Sequence, residues 1–550
     1  MADTTFDVVI VGGGAKALVT AIYLAKYGGM TVGIFERRHE LGGGLTSTEA
    51  SAPGFIGDIH ASQMTDYYYL PVQQDFPDFE EKGGKLMYGK GTSAIITREN
   101  QRCLVRYSSE YDPTQENSVR EIARFAGEHD AETFWKIWEY SQKPGNSFYD
   151  ATVETLFNLP SASNEEAPLR RWIGNFLKQP DCPIDSDWLS LSAYRAVPQL
   201  FENPALSFQL LRDMETSAQP ILEPGGASFL IGMLLLRPKA CFVRGGTHNI
   251  AHAYIKILLD NGGKFFTKSH VDKIIIENGT AKGIQLNDGT QVKARNFVLS
   301  GLNLQQLCFQ LIGREHFSER LLKEVEGITA THGTITWYTW AVREPTEFRA
   351  ADYNPDINET RGVVLGCQDL EVLHHSAEMR RQGMNTSVES TILHQMFCGD
   401  TYRQPEGRQT ILTEKFVVPA NLLSEQEWLQ FKTKHAEDVV SEWQVYTTNL
   451  NWENIIGYDP ITPYDTAGRL INMSPTGDFF TINAEPARPL GTLIPSEFAQ
   501  YRVPNIKNLY ATGVQWGPFG ASCMEGYRAY KVIAEDLGLP KPWEEKGRPY

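Results

Sequence analysis

The stretch FDVVIVGGGAKALVTAIYLAKYGGMTVGIFERRHELGGG, Phe6 to Gly44, constrains the chain most. It reads as an apolar strand, a glycine turn, a helix with apolar positions Leu18, Ile22 and Leu24/Ala25, a second strand, an acid, and another glycine cluster. Asp7 to Gly12 is a β-branched run of the kind a parallel strand buried on both faces requires. In the turn Gly12–Gly13–Gly14, the first glycine makes the tight bend and Gly14 lets backbone approach a pyrophosphate. Ala17 stands at the position that keeps helix and strand close. Backbone N–H groups at the helix start, Ala15 and Lys16 included, then hold phosphates with help from the helix dipole. Glu36 closes the second strand, where it can accept hydrogen bonds from a ribose and repel a 2′-phosphate, which disfavours NADP. These features specify an α/β protein with a dinucleotide site.

The choice of dinucleotide turns on the second glycine cluster. An NAD domain normally continues into another helix after the acid. Here ERRHELGGG brings Arg37, Gly43, Gly44 and then Leu45 close behind Glu36, so that backbone wraps the pyrophosphate and approaches a flavin. This segment resembles the second half of the FAD signature of glutathione-reductase-type flavoproteins. Two further blocks agree. Val243 to Gly301 contains GGTHNIAHAYIKILLDNGG, a helix bounded by glycines, followed by strand runs separated by the hairpin signals ENG and NDG. Asn508 to Gly538 resembles the closing segment of that family: a strand ending in Gly513, a loop, and a helix beginning near Ser522. The resemblance implies that the backbone of Val271 meets the adenine. It also implies that the helix start around Ser522 and Met524 faces the flavin's pyrimidine ring, where its N–H groups stabilise negative charge on reduction.

The order of these blocks, with GGTHNI, YDPITPYDT (Tyr458 to Thr466) and ARPLGT (Ala487 to Thr492), resembles the phytoene-desaturase-like flavoproteins, a group of carotenoid desaturases, isomerases and ketolases with retinol saturase. The resemblance spans nearly the whole chain, and its sharp motifs lie in the FAD-binding parts. It implies a Rossmann-type FAD-binding domain with an inserted mixed α+β substrate domain. Two segments depart from the family pattern. GFIGDIHAS (Gly54 to Ser62) keeps the acid as Asp58 and places His60 where a glycine is usual, and WGPFGAS (Trp516 to Ser522) replaces a glycine-rich loop.

At 550 residues the chain is too long for one core. We divide it into FAD-binding segments 1–64, 241–314 and 486–550, and substrate-domain segments 65–240 and 315–485. The substrate domain contains helical patterns at Ser118 to Lys143 and Ser424 to Tyr446, and strand-like HGTITWYTWAV and STILHQMF. Its aromatics (Thr65 to Leu70, Trp337, Tyr338, Trp340) are read mainly as core, with an apolar channel as the alternative. A net charge of −16 argues against a nucleic-acid binder. Seven cysteines without a C-x-x-C pair suggest neither a disulfide framework nor zinc, and a cytoplasmic protein without a signal peptide is expected. The apolar run Phe229 to Leu236 is far shorter than the ~20 residues of a membrane span. It is read as a buried helix, with peripheral membrane contact as the alternative.

For the chemistry, His60 is the first candidate acid or base, with packing and hydrogen bonding to the cofactor loop as the alternative; Asp58 is a weaker candidate or an orienter of His60, and strand alternation would set both on one side. Tyr68, Glu525 and Arg528 are further candidates. Cys523 is read as a small buried thiol, and His374–His375, neighbours on a strand, as pointing to opposite faces and therefore not as a metal pair. A second glycine motif for NAD(P)H is missing, so oxygen, a quinone or another carrier is the expected electron acceptor. The leading expectation is an FAD-dependent oxidoreductase that desaturates or saturates carbon–carbon bonds of a small apolar, isoprenoid-like substrate. A redox-neutral isomerase or hydratase that needs reduced FAD is the alternative. A non-catalytic reading, by likeness to Rab GDP-dissociation inhibitors, is opposed by the intact glycines and Glu36.

Overall fold

The computed structural model describes residues 5–159, 167–217, 219–483, 494–517 and 520–550. The ARPLGT block and two residues of WGPFGAS lie outside the described residues. β1 (Thr5–Val11), α1 (Ala15–Lys26) and β2 (Val32–Phe35) form where the motif requires them. β1 lies between β2 and the strand Gln291–Ser300, parallel to both. Val8 to Val11 are wholly or almost wholly buried, which is why the run is apolar without alternation. Lys264–Phe266 continues the parallel sheet beyond β2, and Leu509–Ala511 continues it beside the carboxyl half of Gln291–Ser300. The register sets Val11, Phe35, Phe266, Ser300 and Ala511 in one row. Gly12, Gly301 and Gly513 therefore lie just past one common edge, the carboxyl edge where ligands of open α/β sheets bind. Val271–Glu277, Thr280–Leu286 and Gln291–Ser300 form an antiparallel meander. Its first turn runs through Asn278 and Gly279 with φ of 51° and 69°, the left-handed pair a two-residue hairpin uses.

A second, mixed sheet of seven strands runs in the spatial order Ile455–Ile461, Ile335–Val342, Gln409–Phe416, Ile392–Met396, Thr360–Gly366, Gly91–Thr97, Cys103–Tyr107. Only the pair Thr360–Gly366 and Gly91–Thr97 is parallel. One face carries Tyr338, Trp340 and Ile411 against the helix Glu425–Tyr446, with the Trp340 and Trp443 rings 4.8 Å apart. That helix starts with a reciprocal cap between Ser424 and Glu427. The opposite face carries Ile335, Trp337, Leu412 and Phe416. The expected helical pattern at 118–143 is two helices, Glu116–Ala126 and Glu128–Gln142, because Gly127 takes φ 109° between them. Tyr67 to Phe79 and Phe317 to Val325 contribute side chains to the core of the nucleotide-binding unit.

His374 and His375 lie in the helix Glu371–Arg381, a correction to the strand expected there. Leu373, Ser376 and Ala377 turn that helix inward, and neighbours in a helix do not face each other.

Two other histidines give the second sheet an acid sensitivity. His394 packs against Phe348 and Trp443, and His435 against Phe431 and Tyr338. Burial lowers each to about 3 from 6.5, with the Lys415 charge adding to the effect on His435. As pH falls below 6.5, the unfolded chain takes up protons that the folded chain refuses. Stability is therefore complete above 6.5 and falls toward pH 3, by about 1.4 kcal/mol per pH unit for each histidine. Urea unfolding at pH 7 and pH 5 should show this loss, and His394→Leu/His435→Leu should lose less between the two. An unchanged slope in the double variant would refute it.

Candidate active site

The site begins with two glycine turns stacked on each other. Gly12 has φ +86°, and a Cβ there would meet the Leu302 side chain at 2.9 Å. The Gly13 N–H donates to Glu36 Oε2 at 2.8 Å and the Arg38 N–H to Glu36 Oε1 at 2.9 Å, so Glu36 pins the turn. The Gly42 N–H donates to the Gly13 carbonyl at 2.8 Å, and a Cβ on Gly43 would come within 3.2 Å of Gly14 Cα. Gly14 itself is extended (φ −67°, ψ 161°), and a Cβ built on it meets nothing within 4 Å. It caps α1 with no side-chain acceptor, and the first turn holds no acid. The positive end of α1 is thus open above a backbone cradle. Ala17 closes the base: a Cβ on Gly301 would stand 2.9 Å from its own.

The helix Met524–Leu537 crosses α1 so closely that a Cβ on Gly526 would lie 2.2 Å from the Lys16 carbonyl oxygen. Lys16 Nζ is buried there, 2.5 Å from Glu525 Oε2, and also donates to the Ser522 carbonyl. Burial pushes the Glu525 carboxyl up, against the pull of the Lys16 charge. The helix starts two residues later than expected. Gly513 reaches the cavity below, with Gly520 and Ala521, whereas Ser522 and Met524 stand outside its wall, joined by the Met524 N–H to Ser522 Oγ at 3.2 Å. Cys523 is also outside the wall; its N–H donates to the Tyr68 carbonyl, and burial pushes its thiol up. Arg528 donates to the Thr155 carbonyl.

One cavity of about 500 Å³ joins the cradle to an apolar chamber. At one end its wall is Gly14, Ala15, Lys16 and Gly43 to Leu45; elsewhere it is Phe148, Leu169, Phe229 and Met233. The apolar run at 229–236 forms the helix Ser228–Leu236. Leu230, Ile231, Leu234 and Leu235 face the core, and Phe229, Gly232, Met233 and Leu236 face the cavity. The run is apolar all round because one face packs on the core and the other, half-buried, lines the cavity. Among the described residues no helix is long and apolar enough to cross a membrane. The aromatics divide: Tyr67, Tyr68 and Trp337 line the cavity, while Tyr69, Tyr338 and Trp340 are core.

His60 is in the cavity wall, 4% exposed, edge-on to Trp337 at 5.5 Å. Neither ring nitrogen has a partner among the described residues. Burial first, then the Arg469 and Arg38 charges, hold its pKa well below the usual value, so the ring is neutral. Asp58 does not orient it. The strand Phe55–Asp58 ends at Asp58, so alternation does not continue to His60. The Asp58 carboxylate is consumed by Ser47 Oγ (2.6 Å), the Thr247 N–H (2.9 Å) and Arg403 (2.9 Å). Glu36, Arg37 and Val271 lie outside the cavity wall; Arg37 is exposed, and Val271 pairs with Leu286.

Sequence reasoning missed Glu414 in this wall. Its segment QTILTEKF is a strand in which a charged residue reads as solvent-facing. It also missed Leu470, Asn472 and Met473. YDPITPYDT delivers them, through the strand Ile455–Ile461 and the capped helix Pro463–Arg469.

A diphosphate cofactor fits this cradle: open space over Gly14, uncapped amides, no acid in the first turn, and unpartnered His60 nitrogens along the cavity. Residues 10–78 match the family model described as NAD(P)-binding Rossmann-like domain. The chain is 24% identical to a limonene dehydrogenase polypeptide of Castellaniella defragrans, over 98% of this chain and 96% of that protein. It is 27% identical to hydroxyneurosporene desaturase of Cereibacter sphaeroides, over 54% and 56%. A solved oxidoreductase from Methanosarcina mazei shares the fold with a TM-score of 0.58 at 14% identity, covering 96% of this chain and 99% of that one. Cradle, fold and relatives together support an FAD-dependent oxidoreductase that is similar to the phytoene-desaturase-like flavoproteins.

Proposed function

We propose that the chain dehydrogenates a carbon–carbon bond of a small apolar, isoprenoid-like substrate held in the chamber beside bound FAD. The observation that carries this reading is the single cavity shared by cradle and chamber. Two relatives named for isoprenoid substrates support the substrate class. FAD supplies the redox chemistry by accepting a hydride from carbon. Gly12 to Gly14, with Ala15, Lys16 and Ala17 at the head of α1, would hold the pyrophosphate, with Gly43, Gly44 and Leu45 beside it. Glu36 would accept from the ribose with Arg37 next to it, the backbone of Val271 would meet the adenine, and Gly513, backed by Ser522 and Met524, would border the flavin. His60, neutral and unpartnered, offers one donor and one acceptor where substrate and cofactor meet.

The test is the absorption spectrum of the purified protein, followed by anaerobic addition of limonene or hydroxyneurosporene. Bleaching of an oxidised flavin by one of them supports the reading. Product formed only while the flavin stays reduced would replace it with isomerisation or hydration.

Gly232 tests the chamber separately. It lies inside a helix, lines the cavity, and a Cβ on it meets nothing within 4 Å. Gly232→Leu should raise stability by about 0.5–1 kcal/mol through helix propensity. It should leave FAD content unchanged and weaken limonene binding about tenfold, as side-chain volume that costs 1–3 kcal/mol to overpack enters the chamber. Titration of the flavin spectrum with limonene reads the effect. Wild-type affinity in this variant would mean that the substrate sits elsewhere.

A further inference from the structure

Glu414 is the one acidic residue in the cavity wall among the described residues. It lies on the strand Gln409–Phe416, opposite Trp337 on one neighbour and Leu393 on the other. Its companions on that face, Leu412 and Phe416, are buried and apolar, so the carboxyl is an isolated polar group in an apolar layer. A group of that kind costs stability unless something uses it. Ser62 Oγ and Trp337 Nε1 both donate to Oε1, each at 3.1 Å, while Oε2 accepts nothing from the described residues. Trp337 also carries the edge-on His60 ring, so Glu414 and His60 share one tryptophan in one wall.

We infer that Glu414 receives the proton that leaves when the substrate's second C–H bond breaks, which makes it a catalytic residue. The inference rests on the dehydrogenation proposed above. Two C–H bonds break and one C=C π bond forms. One hydrogen would leave with its electron pair as hydride, for which bound FAD would be the acceptor. The electron pair of the other C–H bond becomes the π bond, and its proton passes to the Glu414 carboxylate and on to solvent. The other candidates are occupied: Asp58 is held by Ser47, Thr247 and Arg403, and a proton on His60 would create a buried cation beside Arg469 and Arg38. The charged groups facing Glu414 are Arg361, which donates to the Ser62 carbonyl and Gln395, and Arg212, which donates to the Glu414 carbonyl. Neither forms an ion pair with its carboxylate among the described residues. Arg237, paired with Asp213, lies further along the wall, and Lys415, next in sequence, is turned to Thr386 and Thr391. Burial raises the Glu414 pKa against the arginine charges, so the carboxylate form gains population as pH rises.

The experiment uses the full-length, FAD-loaded protein with limonene and hydroxyneurosporene as probes. Stopped-flow bleaching of the flavin is followed against pH for wild type, Glu414→Gln and Glu414→Asp. Infrared difference spectra on adding each probe to oxidised protein report the carboxyl band independently of turnover. Wild type should bleach faster as pH rises. Glu414→Gln should bleach about a hundredfold slower and lose that pH limb, with FAD content and the probe-induced flavin shift unchanged. Glu414→Asp should keep the limb at a lower rate, and the infrared spectrum should show a carboxyl band absent from Glu414→Gln. Equal bleaching by wild type and Glu414→Gln with the same pH limb, or no band assignable to Glu414, would overturn the Glu414 role alone. A wild type that binds both probes and leaves its flavin oxidised would instead sink the dehydrogenation and the proton transfer together.

Discussion

Gly14→Val is expected to yield a folded protein that does not retain FAD. The prediction depends on two properties of this glycine. Its backbone is extended at φ −67°, ψ 161°, a region valine favours, and its Cβ direction is empty within 4 Å. The valine Cβ therefore meets no steric obstacle. Its two methyls would stand in the space proposed above for the pyrophosphate at the head of α1, and would screen the uncapped amides from it. Overpacking of this order costs about 3 kcal/mol, roughly a hundredfold in affinity, before any lost hydrogen bond is counted. Neighbouring glycines make the contrast. A Cβ on Gly13 would meet Leu41 at 2.7 Å, so valine there disturbs the fold as well. Circular dichroism and thermal unfolding of apo protein should match wild type for Gly14→Val, while flavin absorbance after gel filtration disappears. Retention of stoichiometric FAD by this variant would remove the pyrophosphate from the cradle.

The legibility of the chain follows the same division. The nucleotide-binding unit was readable because a phosphate cradle needs glycine at fixed spacing, and a doubly covered strand needs an unbroken apolar run; neither depends on distant residues. The second sheet was readable as strands and helices but not as an order. Gly91–Thr97 finds its parallel partner at Thr360–Gly366, and periodicity within a strand carries no record of a partner that far away. At the site, His60 was found by its unusual position, yet its pairing with Asp58 assumed a strand two residues longer than the one that forms. Glu414 was invisible for a related reason. One charge in an alternating strand reads as the solvent face, and only the fold shows that this face borders a cavity. The run at 229–236 lacked a polar face for the opposite reason, being apolar toward both core and chamber.

The buried pair Lys16–Glu525 should show the second large effect, on stability. Its partners are 4% and 0% exposed and lie where the head of α1 meets the helix Met524–Leu537, the contact that sets the cradle against the C-terminal segment. Removing one partner strands the other charge in a medium that cannot solvate it. Lys16→Met and Glu525→Leu are each expected to cost about 3–5 kcal/mol. The double variant removes both desolvation penalties and fills the space with apolar atoms, so it should recover most of that loss; the coupling then exceeds the additive expectation by several kcal/mol. Urea denaturation of the four apo proteins measures the cycle. Lys16 also borders the cavity, so the same proteins report on the cofactor. With the pair intact, the Lys16 charge is already neutralised, and phosphate recognition falls to the backbone amides and the dipole of α1. The double variant should therefore bind FAD within about tenfold of wild type, the equivalent of about 1.4 kcal/mol. Single variants that each lose under about 1 kcal/mol, or a double no more stable than the additive sum, would show that the pair is solvated and does not fix the helix contact.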